Sequence, residues 1–516
     1  MANLKDVLGK IEIPSDGTFI VPPTVTEIEV SAFQGCSKLK AIEIPNSVKV
    51  IEENAFNGCI SLTSIEIPDS VTEIKEGAFY KCNSLMSIYI PDSVTNIEAG
   101  AFGGCHDLTL IKVSVNNPKY KSDGNCCLLK DGSKLIFGCK ESTIPDGVTE
   151  IGESAFEDCR ELMSVKIPAS VKVIGINAFA ECPSLTSLEI LGGVEKIEDY
   201  AFYMCSLNAI TLPDSVKEIG ENAFDSCQEE SVVIPNGVKR IGGNAFCRNQ
   251  ALKSIKIPES VEEIWEMAFS SCNALETIAI SKNNRYYTSA NKCCLSYDGK
   301  RLIFGCNKST IPDGVTEICG GAFYGCDKIE SIEFPESVTE IGEEAFYGCS
   351  GLTSVEIPAN VTKIGEMAFS RCDALDMITV SKGNTNYKSV NNCCLFNDGK
   401  RLLFGCNNST IPDGVTEICS YAFYDCDKIE SIEFPESVTV IGHDAFGSHL
   451  GWPTSVKSVV VNTRKKSPDQ AENVSTIMGI FDPSIITLKV PIGCGYAYRH
   501  HPDFEGKFKE IQAVLD

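Results

Sequence analysis

The chain has 516 residues, 43% of them hydrophobic, and a formal net charge of −25. That much apolar material excludes a disordered chain, and no single compact core is required if the chain is one repeating array, because solenoids grow by adding coils. The acidity argues against nucleic acid, which needs a basic stripe for its phosphates, and against docking on anionic lipid; it keeps a long repeat protein soluble or, gathered on one face, recruits a basic partner.

The N-terminus has no basic segment leading into an apolar one, so no signal peptide is expected. No run of 18 apolar residues occurs, so no membrane insertion is expected. Residues 1–31 read as a degenerate N-terminal coil, with IEIP at 11–14.

From residue 32 to 461 the chain repeats itself. The dipeptide Ala-Phe occurs fifteen times, with its Phe at 33, 56, 79, 102, 156, 179, 202, 224, 246, 269, 323, 346, 369, 423 and 446. The common step is 22–23 residues, and three steps are 54. A period this short means one small unit stacked on itself, since no unit can bury its own apolar residues alone. In LTSIEIPDSVTEIKEGAFYKC (Leu62–Cys82), Leu62, Ile65 and Ile67 give a short strand with alternating apolar positions. Pro68, which lacks an N–H, ends it. Val71 and Ile74 open a second extended segment. Ala78, Phe79 and Cys82 suit one turn of helix or 3₁₀ with its apolar side inward.

Three insertions sit near 114–140, 281–307 and 381–407. Each places Asp-Gly between two apolar runs, at Asp131-Gly132, Asp298-Gly299 and Asp398-Gly399. That dipeptide supplies the positive φ of a two-residue hairpin turn, so a β-hairpin projecting from the solenoid edge is expected in each. Residues 281–346 and 381–446 match at an offset of 100, a duplication typical of an extendable scaffold. After Phe446 the pattern decays, and residues 462–516 read as a capping segment with a short helix, built on Val490, Pro491, Gly493, Tyr496 or Tyr498, Phe508 and Ile511.

Thirteen of the 26 cysteines occupy the AFxxC position, where a thiol serves as a small buried apolar residue. The pairs Cys126-Cys127, Cys293-Cys294 and Cys393-Cys394 are each followed by a third, Cys139, Cys306 and Cys406, and a disulfide across each hairpin is one reading of them under oxidising conditions. No CxxC pair has zinc-like spacing, and no HExxH, GxSxG, GxGxxG or Walker loop occurs. Neither a catalytic site nor a metal nor a cofactor is expected; the chain does not read as an enzyme.

The motif LxxIxIP…VxxIgxxAFxxC resembles the BspA-like, or Treponema pallidum-type, leucine-rich repeats across nearly the whole chain. The resemblance implies a right-handed leucine-rich-repeat arc with a parallel sheet on its concave face and short helical turns on its convex side. It also implies cell-surface attachment and adhesin-like binding of a host, matrix or partner protein. The alternative is an intracellular protein–protein interaction scaffold in a reducing compartment. Strand alternation puts one residue per repeat outward between the two buried positions. The outward column is therefore Glu43, Glu66, Tyr89, Lys112, Lys166, Glu189, Thr211, Val233, Lys256, Ala279, Glu333, Glu356, Thr379 and Glu433, and all of these but Thr211, Val233, Ala279 and Thr379 are the expected partner-binding residues. Serines such as Ser87, Ser164 and Ser254 flank it. A protein or glycoprotein ligand is the expected partner.

Overall fold

The computed structural model describes residues 12–447, 456–462, 481, 485–501 and 509–515. Phe508 and the first eleven residues, which belong to the expected caps, lie outside the described residues. The chain forms two units, Met1–Leu275 with Ala279–Tyr286, and Glu276–Ile278 with Tyr287–Asp516. Both are β-solenoids built from the same three-sided repeat.

The first side is the Ile-x-Ile strand. Ser164–Ile167 pairs in parallel with Ser187–Ile190, so that Val165 lies beside Leu188 and Lys166 beside Glu189. The second side is a two-residue strand ending in the Ile of VxxI. Glu150–Ile151, Val173–Ile174, Lys196–Ile197, Glu218–Ile219, Arg240–Ile241 and Glu263–Ile264 form one parallel run. The third side is the Ala-Phe turn. Its backbone bonds to the next turn, as where Phe56 N donates to Ala78 O at 2.8 Å and Gly58 N to Tyr80 O at 2.8 Å. A fixed period sets each residue above its equivalent, and buried columns of Ile, Val, Ala and Phe result. The Phe rings stack nearly parallel, with centroids 5.2 Å apart from Phe33 to Phe56, Phe56 to Phe79 and Phe179 to Phe202.

The expected helical turn at AFxxC is not formed. Each Ala-Phe turn from Phe33 to Phe423 holds two residues in the left-handed region, such as Asn177 (φ 53°) and Glu181 (φ 56°) around Phe179. A positive φ breaks the helical path, and the turn instead hands its N–H groups to the neighbouring repeat. Among the described residues the one α-helix is Gly495–Arg499.

The two sheets differ in continuity. The longer strands form short separate ladders in the first unit: Thr18–Ile20 with Ala41–Glu43, Ser87–Ile90 with Leu110–Val113, then Ser164–Ile167 with Ser187–Ile190. The two-residue strands run on with fewer breaks, because from Val50–Ile51 onward the residue before the strand also donates its N–H backwards, as Thr72 N to Lys49 O at 2.8 Å and Glu195 N to Lys172 O at 2.8 Å. Threonine hydroxyls repeat the contact, at 3.0 Å from Thr339 to Thr316 O and 3.2 Å from Thr362 to Thr339 O.

The insertions are three-stranded meanders that belong to the stack rather than projecting from it. In the first, Tyr120–Asp123, Cys126–Leu129 and Lys134–Phe137 pair antiparallel in turn, and the last strand then pairs in parallel with Glu150–Ile151. Its Phe137 ring stacks on Phe102 at 4.6 Å and so continues the Phe column. The next residue, Gly138, lies so close to Phe156 that a Cβ there would overlap the ring, and Gly305 and Gly405 meet Phe323 and Phe423 in the same way. This accounts for the Phe-Gly-Cys that ends every insertion. Where the meander interrupts the ladders its side chains seal the loose backbone. Tyr120 Oη accepts from Ile97 N at 2.9 Å, Asn125 Oδ1 from Ile111 N at 2.8 Å, and Ser122 Oγ from Val113 N at 3.2 Å.

In the second unit Ser431–Phe434, Ser458–Asn462, Ile486–Pro491 and Glu510–Leu515 form a parallel sheet. Tyr498, on the short helix, is fully buried, whereas Tyr496 is exposed.

The 22-residue spacing from Phe202 to Phe224 to Phe246 has a local consequence. Deleting one residue after Cys227 slides Glu229 into the column that Leu62, Leu85 and Leu185 fill elsewhere, and it is 0% exposed. Neither carboxylate oxygen has a hydrogen-bond partner among the described residues. Burial pushes its pKa up to about 8. The unfolded chain releases this proton near pH ~4.3, so between that pH and 8 the folded state binds more protons. The group's stability contribution is therefore complete in acid and lost as pH rises toward 8. The shift caps the effect at ~5 kcal/mol, and relaxation with water reaching the carboxylate brings it to about 2 kcal/mol. Glu229→Leu is expected to raise the unfolding free energy from urea titration by that amount more at pH 8.5 than at pH 4; equal gains at both pH values would show that the buried charge is not the cause.

Candidate interaction surface

Every residue of the predicted column lies on the outward side of its Ile-x-Ile segment, although the segments of Glu66 and Glu333 do not form strands. Glu43, Glu66, Tyr89, Lys112, Lys166, Glu189, Thr211, Val233, Lys256, Ala279, Glu333, Glu356 and Glu433 are exposed, and Thr379 is half-buried. The alternation that places them is visible in Ser87–Ile90 and Leu110–Val113, whose residues alternate exposed and buried. Register then sets neighbours: Tyr89 beside Lys112, Val233 beside Thr211 and Lys256, and Glu356 beside Thr379.

Charge compensation separates this face from the two-residue ladder. On the ladder, Lys134 pairs with Glu150 at 2.6 Å, Arg240 with Glu218 at 3.8 Å and Glu263 at 3.3 Å, Arg301 with Glu317 at 2.8 Å, and Arg401 with Glu417 at 3.2 Å. Those charges are largely answered within the chain. On the open face, Lys166 meets Glu189 at 3.2 Å. Glu433 is held by Lys489 at 3.2 Å and accepts from Asn462 Nδ2 at 2.9 Å, and the Asn462 bond, ahead of Lys489, holds its carboxyl below the usual range. It is thus engaged rather than free. Glu43, Glu66, Lys112, Lys256, Glu333 and Glu356 have no ion pair among the described residues. Glu330 and Asp376 flank the last two, also exposed and unpaired, so this part of the second unit carries uncompensated negative charge.

An apolar element joins the column in the first unit that alternation alone does not reveal. Met86, just before the strand Ser87–Ile90, Tyr89 within it and Leu110 on the adjacent strand are 55, 53 and 42% exposed. Met86 and Leu110 fall at positions that Thr and Ser fill in other repeats, and that departure is the signal that marks them.

Two buried carboxylates are held in ion pairs. Asp158 is fully buried and meets Arg160 at 2.6 Å, Lys81 at 3.5 Å and His106 at 3.9 Å. Asp225 is clasped by Arg248 at 2.6 and 3.0 Å. Among the described residues no group of three or more His, Cys, Asp or Glu side chains is placed to hold a metal ion. Burial pushes the Cys59 and Cys105 thiols up to about 12, which keeps them protonated and poor nucleophiles.

The AFxxC thiols do more than fill space. Cys59, Cys182, Cys205 and Cys272 each donate at 3.1 Å to the carbonyl of the Phe one repeat back. In the repeat of Phe246 the position is Asn249, whose Nδ2 donates to Phe224 O at 3.0 Å. The site selects a short donor, of which Cys is the usual one.

A stack of 22–23-residue parallel coils with a Phe-lined turn column defines a leucine-rich-repeat solenoid. The family profile described as BspA type leucine rich repeat region (6 copies) matches residues 16–124, 136–198, 173–297, 304–398 and 401–459, and the chain belongs to that family. Among solved structures it is similar to a leucine-rich repeat protein of Bacteroides ovatus at 23% identity, covering 86% of this chain and 78% of that one, with a TM-score of 0.33. It is also similar to a leucine rich cell surface protein of Faecalibacterium prausnitzii at 27% identity, covering 79% and 86%, with a TM-score of 0.37. A third is the T. pallidum leucine rich repeat protein, at 30% identity over 35% of this chain and 73% of that one, with a TM-score of 0.23. No curated protein matches the chain. No helix among the described residues is long and apolar enough to cross a membrane.

Proposed function

We propose that this chain is a non-enzymatic, adhesin-like protein-binding scaffold of the cell surface, which holds a host or matrix protein against the open face of its longer strands. The observation that carries the reading is the contrast between the two sheets. The ladder answers its charges internally, whereas Glu330, Glu333, Glu356 and Asp376 face solvent without cations. Unanswered charge on a rigid, regular surface favours a partner of opposite sign, speeding encounter and fixing register. The partner is then a protein with a basic surface, and Met86, Tyr89 and Leu110 supply a separate apolar contact in the first unit.

Solid-phase binding of the full chain to an extract of extracellular matrix tests this. Glu333→Lys with Glu356→Lys is expected to weaken binding about tenfold, a loss of ~1.4 kcal/mol, and to flatten its salt dependence. Glu218→Lys with Glu263→Lys, on the ladder face, is expected to leave binding unchanged. Equal losses from both pairs would remove the face assignment. The abundance of cysteine, 26 residues with no disulfide among them, favours a second reading, an interaction scaffold in a reducing compartment. Retention of partners from a cytosolic extract and none from matrix would select it.

A further inference from the structure

The AFxxC thiols are accounted for by their carbonyl contacts, but each meander holds two more whose positions repeat three times. Cys126 and Cys139, Cys293 and Cys306, and Cys393 and Cys406 are all buried. Within each pair the two sulfurs flank one Ser-Thr dipeptide. The first lies against the Thr carbonyl: Cys126 to Thr143 O at 3.7 Å, Cys293 to Thr310 O at 3.5 Å, Cys393 to Thr410 O at 3.5 Å. The second lies against the Ser hydroxyl: Cys139 to Ser142 at 3.6 Å, Cys306 to Ser309 at 3.4 Å, Cys406 to Ser409 at 3.5 Å.

A second set of contacts brings the chains closer still. The sulfur of the later cysteine touches the residue just before the earlier one. Cys306 Sγ is 4.0 Å from Lys292 O, Cys406 Sγ is 3.8 Å from Asn392 O, and Cys139 Sγ is 3.3 Å from Asn125 Nδ2. A carbonyl oxygen lies about 2.8 Å from the next Cα by ordinary covalent geometry, which puts the Cys306 and Cys406 sulfurs within about 7 Å of the Cα atoms of Cys293 and Cys393. The other vicinal cysteine is the wrong partner. Cys127 pairs in register with Phe137, and strand alternation turns it to the opposite face from Cys126. The contacts of the meander sulfurs are also long, mostly 3.4–4.0 Å, against 3.1–3.3 Å in the Phe-carbonyl column. These thiols are near each other without being committed elsewhere.

We propose that the three meanders are disulfide sites, pairing Cys126 with Cys139, Cys293 with Cys306 and Cys393 with Cys406. Glutathione disulfide is a sufficient oxidant. One thiolate attacks it, forming a protein–glutathione mixed disulfide and releasing one glutathione. The second thiolate attacks the protein sulfur of that mixed disulfide and releases the second glutathione. Each closure converts two protein thiols and one glutathione disulfide into one protein disulfide and two glutathione thiols. The bond would fasten the returning strand to the strand it leaves, at the places where the parallel ladders are interrupted.

The test uses the full chain, because the thiols are buried when folded. It is unfolded in urea, refolded in a glutathione/glutathione disulfide buffer, and checked for native circular dichroism. Free thiols are then alkylated under denaturing conditions and peptides mapped by mass spectrometry. The expected result is six fewer alkylated cysteines than in the reduced chain, with the three cross-links named. Cys126→Ser is expected to lose only its own cross-link, leaving Cys139 alkylated. A natively refolded chain with every cysteine alkylated, or with cross-links through Cys127, Cys294 or Cys394, would overturn the assignment.

Discussion

Asn117→Ala is expected to destabilise the first unit by about 4 kcal/mol, since each buried group left without its partner costs ~1–3 kcal/mol. Asn117 is 0% exposed and works in four directions. Its Nδ2 donates to Pro91 O at 2.6 Å and Val94 O at 2.9 Å, in the preceding repeat. Its Oδ1 accepts from Lys119 N at 2.9 Å and Tyr120 N at 2.7 Å, at the start of the meander. Alanine would orphan two carbonyls and two N–H groups at the point where the insertion leaves the stack. Asn117→Asp separates the halves, because it keeps the acceptor but sets a charge against two carbonyls. It should be no better tolerated than alanine at pH 7 and should recover partly in acid. Asn284 and Asn384 make the same pair of carbonyl contacts, to Pro258 and Val261 and to Pro358 and Val361, so the effect should recur there. Urea unfolding followed by tyrosine fluorescence and circular dichroism measures it; a loss below about 1 kcal/mol would mean that water replaces the side chain.

Phe202→Ala is expected to cost about 3–5 kcal/mol, the usual range for emptying a buried aromatic site. Its ring is stacked between Phe179 at 5.2 Å and Phe224 at 5.3 Å and is fully buried. Neighbouring turns are hydrogen-bonded to one another, Phe179 N to Ala201 O and Phe202 N to Ala223 O at 2.8 Å each, so they cannot close over the gap without losing those bonds. Repeat stability is a sum of nearest-neighbour terms, and a weak coil in mid-array can uncouple its flanks. A second transition in the melt, with hydrogen exchange accelerated around residue 202, is the expected signature. A single sharp transition shifted only slightly would show that the column tolerates a missing ring.

Much of this was legible in the sequence because a solenoid converts spacing directly into contact. The Ala-Phe interval predicts the Phe column, and the Ile-x-Ile alternation predicts an outward column from Glu43 to Glu433 that is exposed at every position but Thr379. Less was legible wherever a residue's neighbour lies in another repeat. AFxxC has the spacing of a helical turn, yet left-handed residues at its shoulders send its N–H groups to the next coil. Asp-Gly signals a hairpin but not that Lys134–Phe137 becomes a rung of the parallel ladder. Glu433 looks as free as Glu356 until Lys489 and Asn462, from later strands, close on it.

The sequence by itself determined the period, the buried columns and the outward face, because each follows from local alternation repeated at a constant step. Only the tertiary structure decided which face keeps its charges unanswered, that Glu229 enters the Leu column uncharged by any partner, and which meander cysteines stand together. Those depend on what the adjacent coil presents at van der Waals distance, and one residue more or less in a repeat changes it.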